Sequence, residues 1–121
     1  MQLDYLLFDF TDDESGAGSF AAMASVLPDR ICFLVEEVAT VLRWAHREFG
    51  APAAPQEAGE WDFDLHCATE ADTPLPVSYD AARGKVFLEP AAEGRSTLTL
   101  TLAGSRAFCA AFAEAFSISG C

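Results

Sequence analysis

The spacing of apolar positions switches along the chain between a period of two and a period of about 3.6, which separates strands from helices before any other property is considered. Residues 2–10 (QLDYLLFDF) are apolar on both alternating faces and rich in aromatics, the pattern of a strand buried on much of both sides. The polar run TDDESGAG, Thr11 to Gly18, follows as a turn or loop with Gly16 and Gly18 as permissive points. SFAAMASV, Ser19 to Val26, fits either a returning hairpin strand or a short helix. Phe20, Ala22, Ala24 and Val26 alternate with smaller or more polar neighbours, which favours the strand.

A long helix comes next. Pro28 suits its first turn, Asp29 complements the positive end of the helix dipole, and Gly50 followed by Pro52 ends it. At about 100° per residue, Ile31, Leu34, Val35, Val38, Val41, Leu42, Ala45 and Phe49 form one broad apolar face, the core side. Phe33 and Trp44 fall on the other side, amid Glu36, Glu37, Thr40 and Arg47. Two aromatics on a polar face have two readings. Either the segment 51–59 (APAAPQEAG) or a terminus folds back over them, or they anchor a partner or a second subunit, since large aromatics are enriched at the centres of interfaces.

Residues 60–67 (EWDFDLHC) alternate cleanly, with Trp61, Phe63, Leu65 and Cys67 on one face and Glu60, Asp62, Asp64 and His66 on the other, as in a half-exposed strand. Residues 75–79, 84–89 and 96–102 repeat the pattern between turn signals and predict an antiparallel meander. The last element starts at Ser105 as a helix cap and carries Phe108, Ala111, Phe112, Ala115 and Phe116 as one apolar stripe. The expectation is one α+β domain over residues 1–121, an antiparallel sheet of about five or six strands with two helices packed on one face, in the order β-β-α-β-β-β-β-α. Its latter part has the helix, three strands, helix order of double-stranded RNA-binding domains. The basic helix those domains use is missing, because SRAFCAAFAEAF offers only Arg106, with Glu114.

Charge decides against several partners. Nineteen Asp and Glu stand against 7 Lys and Arg, for a formal charge of -12, whereas nucleic acid and anionic membranes need a cationic surface. The acid gathers in residues 1–29 and 50–80, neither of which holds a single Lys or Arg. The first ten residues have no basic start and carry Asp4 and Asp9, and no stretch approaches the roughly 18 apolar residues of a spanning helix, so a cytoplasmic protein is expected. Cys32, Cys67, Cys109 and Cys121 form no CxxC pair and are read as free thiols.

Candidate chemistry is sparse. The acidic loop at Asp12, Asp13 and Glu14 fails the calcium-loop register: counted from Asp9, the sixth position is Glu14 and the twelfth Phe20, and counted from Asp12 they are Ala17 and Met23. Asp62, Asp64 and His66 share one strand face and offer oxygen and nitrogen ligands, but at roughly 6.5 to 7 Å spacing all three do not reach one ion without bending or outside ligands. His66 and Cys67 are adjacent and point to opposite faces, so they are poor partners for nucleophilic catalysis. No phosphate-binding glycine loop is present. No catalytic group, cofactor or metal site is assigned.

Two stretches, FDFTDDESGAGSFAAMASV (residues 8–26) and GEWDFDLHC (residues 59–67), resemble a group of small acidic uncharacterised proteins of proteobacteria, Burkholderia and its relatives among them. The resemblance implies a bacterial protein and no particular activity. Three functional readings stay open. The first is a non-enzymatic protein-binding module, monomer or weak homodimer, that docks another protein, basic or of mixed charge, through Phe33 and Trp44 or through the face of Asp62, Asp64 and His66. The second is an acidic nucleic-acid mimic bound to a basic protein. The third is a metal-dependent enzyme or metal-binding protein using the 62–66 strand face.

Overall fold

A computed structural model of the chain describes residues 5–12, 17–50, 52, 61–89 and 94–116. In chain order these form β1 (Phe8–Asp12), β2 (Gly18–Val26), a short 3-10 turn (Pro28–Arg30), α1 (Ile31–Phe49), β3 (Trp61–Thr69), β4 (Pro74–Leu75), β5 (Val77–Asp80), β6 (Lys85–Leu88), β7 (Ser96–Gly104) and α2 (Arg106–Ala115). Five strands make an antiparallel sheet in the order β1-β2-β7-β3-β4, and β5 and β6 pair separately as a hairpin. The fold is α+β, as expected. The stretch that fitted either strand or helix is the strand β2.

Two features of the expected topology are corrected. Residues 60–102 do not run as one meander: β7 leaves the hairpin and inserts between β2 and β3, pairing along its full length with both. Three strands of nine residues each match in length, so the central position satisfies the β7 backbone on both sides and turns Leu98, Leu100 and Leu102 into the core. The four-residue strands β5 and β6 offer no such length. This placement also removes the topological likeness to RNA-binding domains. The second correction concerns the first strand, which begins at Phe8 and not at residue 2. Within the described part of that stretch, the Tyr5 and Leu6 amides donate instead to the Glu37 carboxylate of α1, at 2.9 and 3.1 Å to Oε1.

One face of the sheet carries the core. Phe20, Ala22, Ala24 and Val26 of β2 lie in register with Leu102, Leu100, Leu98 and Ser96 of β7, and these with Phe63, Leu65, Cys67 and Thr69 of β3. Both helices sit on this face. The Phe112 ring of α2 contacts Phe8 and Phe20, and the His46 ring of α1 stands edge-on to Trp61 at 5.1 Å. Trp61 is fully buried, donates from Nε1 to the Gly50 carbonyl at 3.0 Å, and stacks on Phe108 with ring planes 4° apart. That stack requires the glycine opposite Trp61 in the register: a Cβ on Gly104 would lie 2.4 Å from the Phe108 ring. Ser105 caps α2 by accepting from the Phe108 amide at 3.2 Å.

The hairpin of β5 and β6 is tied to α1. Arg43 donates from Nη1 to the Gly84 carbonyl at 2.9 Å and pairs with Glu36 at 2.8 Å. His46 packs on Tyr79 with ring centroids 5.1 Å apart, and Val86 is buried.

Candidate functional site

The second face of the sheet has no helix over it among the described residues, and strand alternation decides what it displays. From β1 to β3 the register aligns Asp9, Ala21, Thr101 and Asp64 in one row. The next row toward one end holds Thr11, Ser19, Ala103 and Asp62. Toward the other end Met23, Thr99 and His66 share a row, and the β1 register carried one residue back from Phe8 sets Leu7 beside Met23. The two middle strands thus present small side chains apart from Met23, and the outer strands β1 and β3 carry the acids. Leu7 is 77% exposed and Met23 67%. The spans of these four strands hold no Lys or Arg, but the exposed Arg95, one residue before β7 on the same alternation as Thr97, Thr99 and Thr101, donates from Nη1 to the Ser25 carbonyl at 3.0 Å and sets one base at the end of the face beyond Met23.

The charged groups are only lightly held. His66 Nδ1 lies 3.3 Å from Asp64 Oδ2 with both side chains exposed, a contact of small energetic value. Asp62 Oδ1 accepts from the following amide, Phe63 N, at 2.9 Å. Among the described residues no three His, Cys, Asp or Glu side chains converge as ligands of one ion. Cys67 lies on the core side of β3, opposite His66, and its burial pushes the thiol pKa up. Burial likewise raises that of Tyr79 at the hairpin, against the pull of the Arg43 cation. Neither group faces the open side of the sheet with a base beside it.

Of the candidates named from sequence, Asp62, Asp64 and His66 come together on the open face. Phe33 does not join them. It lies on α1, across the sheet, 52% exposed, with the Arg30 guanidinium 5.9 Å from its ring centroid. Trp44 is corrected outright: its ring is 6% exposed and packs on Phe49, Phe108, Phe112 and Phe116. A terminal helix covers it, so it is core and offers nothing to a partner. Phe33 and Trp44 are 11 residues apart, about 16 Å along the axis at about 1.5 Å per residue. The ten-residue α2 reaches only the Trp44 end. Sequence reasoning misses Asp9, Ala21 and Met23 as residues of this face; the available signal is Asp9 within an otherwise apolar run.

A separate open depression of about 470 Å³ lies at the hairpin between Val77, Leu88 and the exposed Phe87. No described helix is long and apolar enough to cross a membrane. No family model, curated protein or solved structure matches this chain.

Proposed function

We propose that the protein is a small non-enzymatic binding module whose open sheet face docks a basic partner protein. The observation that carries this reading is the combination on that face of exposed Leu7 and Met23 with Asp9, Asp62 and Asp64, against one base among the described residues, Arg95, which sits at the Ser25 end and donates to that residue's carbonyl. Neighbouring exposed apolar side chains on a sheet face that the described residues leave uncovered support an interaction surface, and a predominantly acidic rim steers and orients an oppositely charged partner. The mimic alternative has less support, because it asks for a continuous carpet of carboxylates and the centre of the face is Ala, Thr and Met. The metal alternative needs converging ligands, and the described carboxylates and histidines do not supply them.

The test is affinity capture of the tagged full chain from a lysate of its own cells, with washes at low and high salt, beside two variants. Ala21→Arg places bulk and a positive charge in the middle of the open face, at an exposed position of β2 away from the core side. Phe33→Ala removes the exposed ring across the sheet. The reading expects a basic protein retained by the wild type and by Phe33→Ala and lost from Ala21→Arg. Retention by Ala21→Arg together with loss from Phe33→Ala moves the interface to α1 and overturns it.

A further inference from the structure

Resting on the docking reading above, we infer that the occupant of the open face is an amphipathic helix of the partner, laid along β2 and β7 with basic residues on both of its flanks. The width of the face selects this shape. Asp9 and Asp64 sit in one register row on β1 and β3 with only Ala21 and Thr101 between them. Three strand spacings of about 4.8 Å separate the backbones that carry the two acids by about 14 Å. An α-helix with its side chains is about 10–12 Å across, so a helix resting on Ala21 and Thr101 has one acid on each side of it.

Length and relief agree with that occupant. The middle strands are nine residues long, about 30 Å at ~3.3 Å per residue, which is the length of about 20 helical residues. Their outward side chains are small, so a cylinder approaches the sheet closely, and Met23 with Leu7 supplies the apolar contact at one end. A helix that fits has an apolar stripe against the sheet and Lys or Arg at the borders of the stripe, within reach of Asp9 on one side and of Asp62 and Asp64 on the other. These are the anchors of helix recognition by a groove, with charge selecting the partner.

A second copy of this chain fits less well. Face-to-face closure brings together two sets of the same carboxylates, with Arg95 the one base from the described residues of each open face and its guanidinium already donating to the Ser25 carbonyl. The area between the outer strands, about 30 by 14 Å, is about half the ~800 Å² per partner of a standard stable interface.

The probe is a synthetic peptide of about 18 residues, about 27 Å long as a helix, with an Ala and Leu stripe bordered on both sides by Lys. Its controls are a peptide of the same composition with the Lys positions scrambled around the helix, and one with Glu in place of Lys. Each is titrated into the labelled full chain and followed by amide NMR shifts. The bordered Lys peptide is expected to shift Ala21, Met23, Thr99 and Thr101. Asp9→Asn and Asp64→Asn are each expected to weaken it about two- to fivefold, the range of an exposed ion pair, and the two losses are expected to multiply because opposite flanks are touched. Equal binding of the scrambled peptide, shifts confined to α1 or the hairpin, or no binding up to about 1 mM overturns the inference. So does a concentration-dependent shift of the same residues without peptide, which assigns the face to a second copy. Failure of the peptide while Ala21→Arg still abolishes capture of a partner removes the helix and leaves the docking face standing.

Discussion

Trp44→Ala should be among the most destabilising single changes in α1, and Phe33→Ala among the least. The Trp44 ring is 6% exposed and meets Phe49, Phe108, Phe112 and Phe116 at centroid distances of 5.5 to 6.0 Å. Three of those four rings belong to or adjoin α2, so removing the indole opens a cavity at the contact that fixes the second helix. Burial and cavity terms together put the loss at about 3–5 kcal/mol for a buried large aromatic, against a total stability of about 5–15 kcal/mol for a domain. Phe33, half-exposed and touched by the exposed Arg30 side chain, is expected to cost about 0.5 kcal/mol or less. Urea denaturation followed by tryptophan fluorescence reads the difference, with Trp61 as the remaining reporter in Trp44→Ala. At a slope of about 1–3 kcal/mol/M, the Trp44→Ala midpoint falls by about 2 M while that of Phe33→Ala hardly moves. Trp44→Leu, which keeps part of the apolar volume, provides a folded intermediate case. Equal, small midpoint shifts for Trp44→Ala and Phe33→Ala would refute the packing of α2 on the flank of α1.

Gly104→Ala drives a methyl into the Phe108 ring, where a Cβ would lie only 2.4 Å from the nearest ring atom, so it is expected to lower stability by about 1–3 kcal/mol through overpacking. Phe108→Leu in the same chain should recover part of that loss in thermal melts, whereas additive losses would show that the clash is not the cause. Cys67, whose folded thiol pKa is raised by burial, sets an alkaline limit. Above the unfolded thiol pKa of about 8.5 the unfolded state releases its proton while the native state keeps it, so stability falls as pH rises through that value. Urea midpoints between about pH 8 and 10, which bracket that pKa, should therefore decline more steeply in wild type than in Cys67→Ala; parallel curves would contradict the burial of the thiol. Glu37→Gln leaves the Tyr5 and Leu6 amides a weaker acceptor and should cost about 1 kcal/mol, with faster amide exchange at Tyr5 and Leu6 as its signature.

The elements were legible in the sequence because each carries its own period. The alternation of STLTLTL and of WDFDLHC puts Leu98, Leu100 and Cys67 inward and Asp62, Asp64 and His66 outward without any knowledge of neighbours. Neighbour choice was not legible. Nothing in the alternation of β7 says that it leaves β6 to lie between β2 and β3, since pairing depends on matched length and core-facing residues that are distant in the chain. The same limit explains Trp44. A helical wheel describes one helix with one covered side, and α1 is covered on two, by the sheet and by α2, which widens its buried arc past the polar residues beside it. Half of the candidate site was visible, since the acidic row of β3 follows from spacing. The other half is made by β1 and β2, and only the register places Asp9 opposite Asp64 across Ala21 and Thr101.

The central claim is that the open sheet face, and not α1 or the hairpin, meets the partner. A photoreactive residue introduced at Ala21 in the full chain, compared with the same residue at exposed Ala110 of α2 and at Phe33, tests it in the cells that make the protein. The predicted result is a discrete adduct with one basic protein from the Ala21 position and none from the Ala110 or Phe33 positions. An adduct from either of the latter two with none from Ala21 would contradict it.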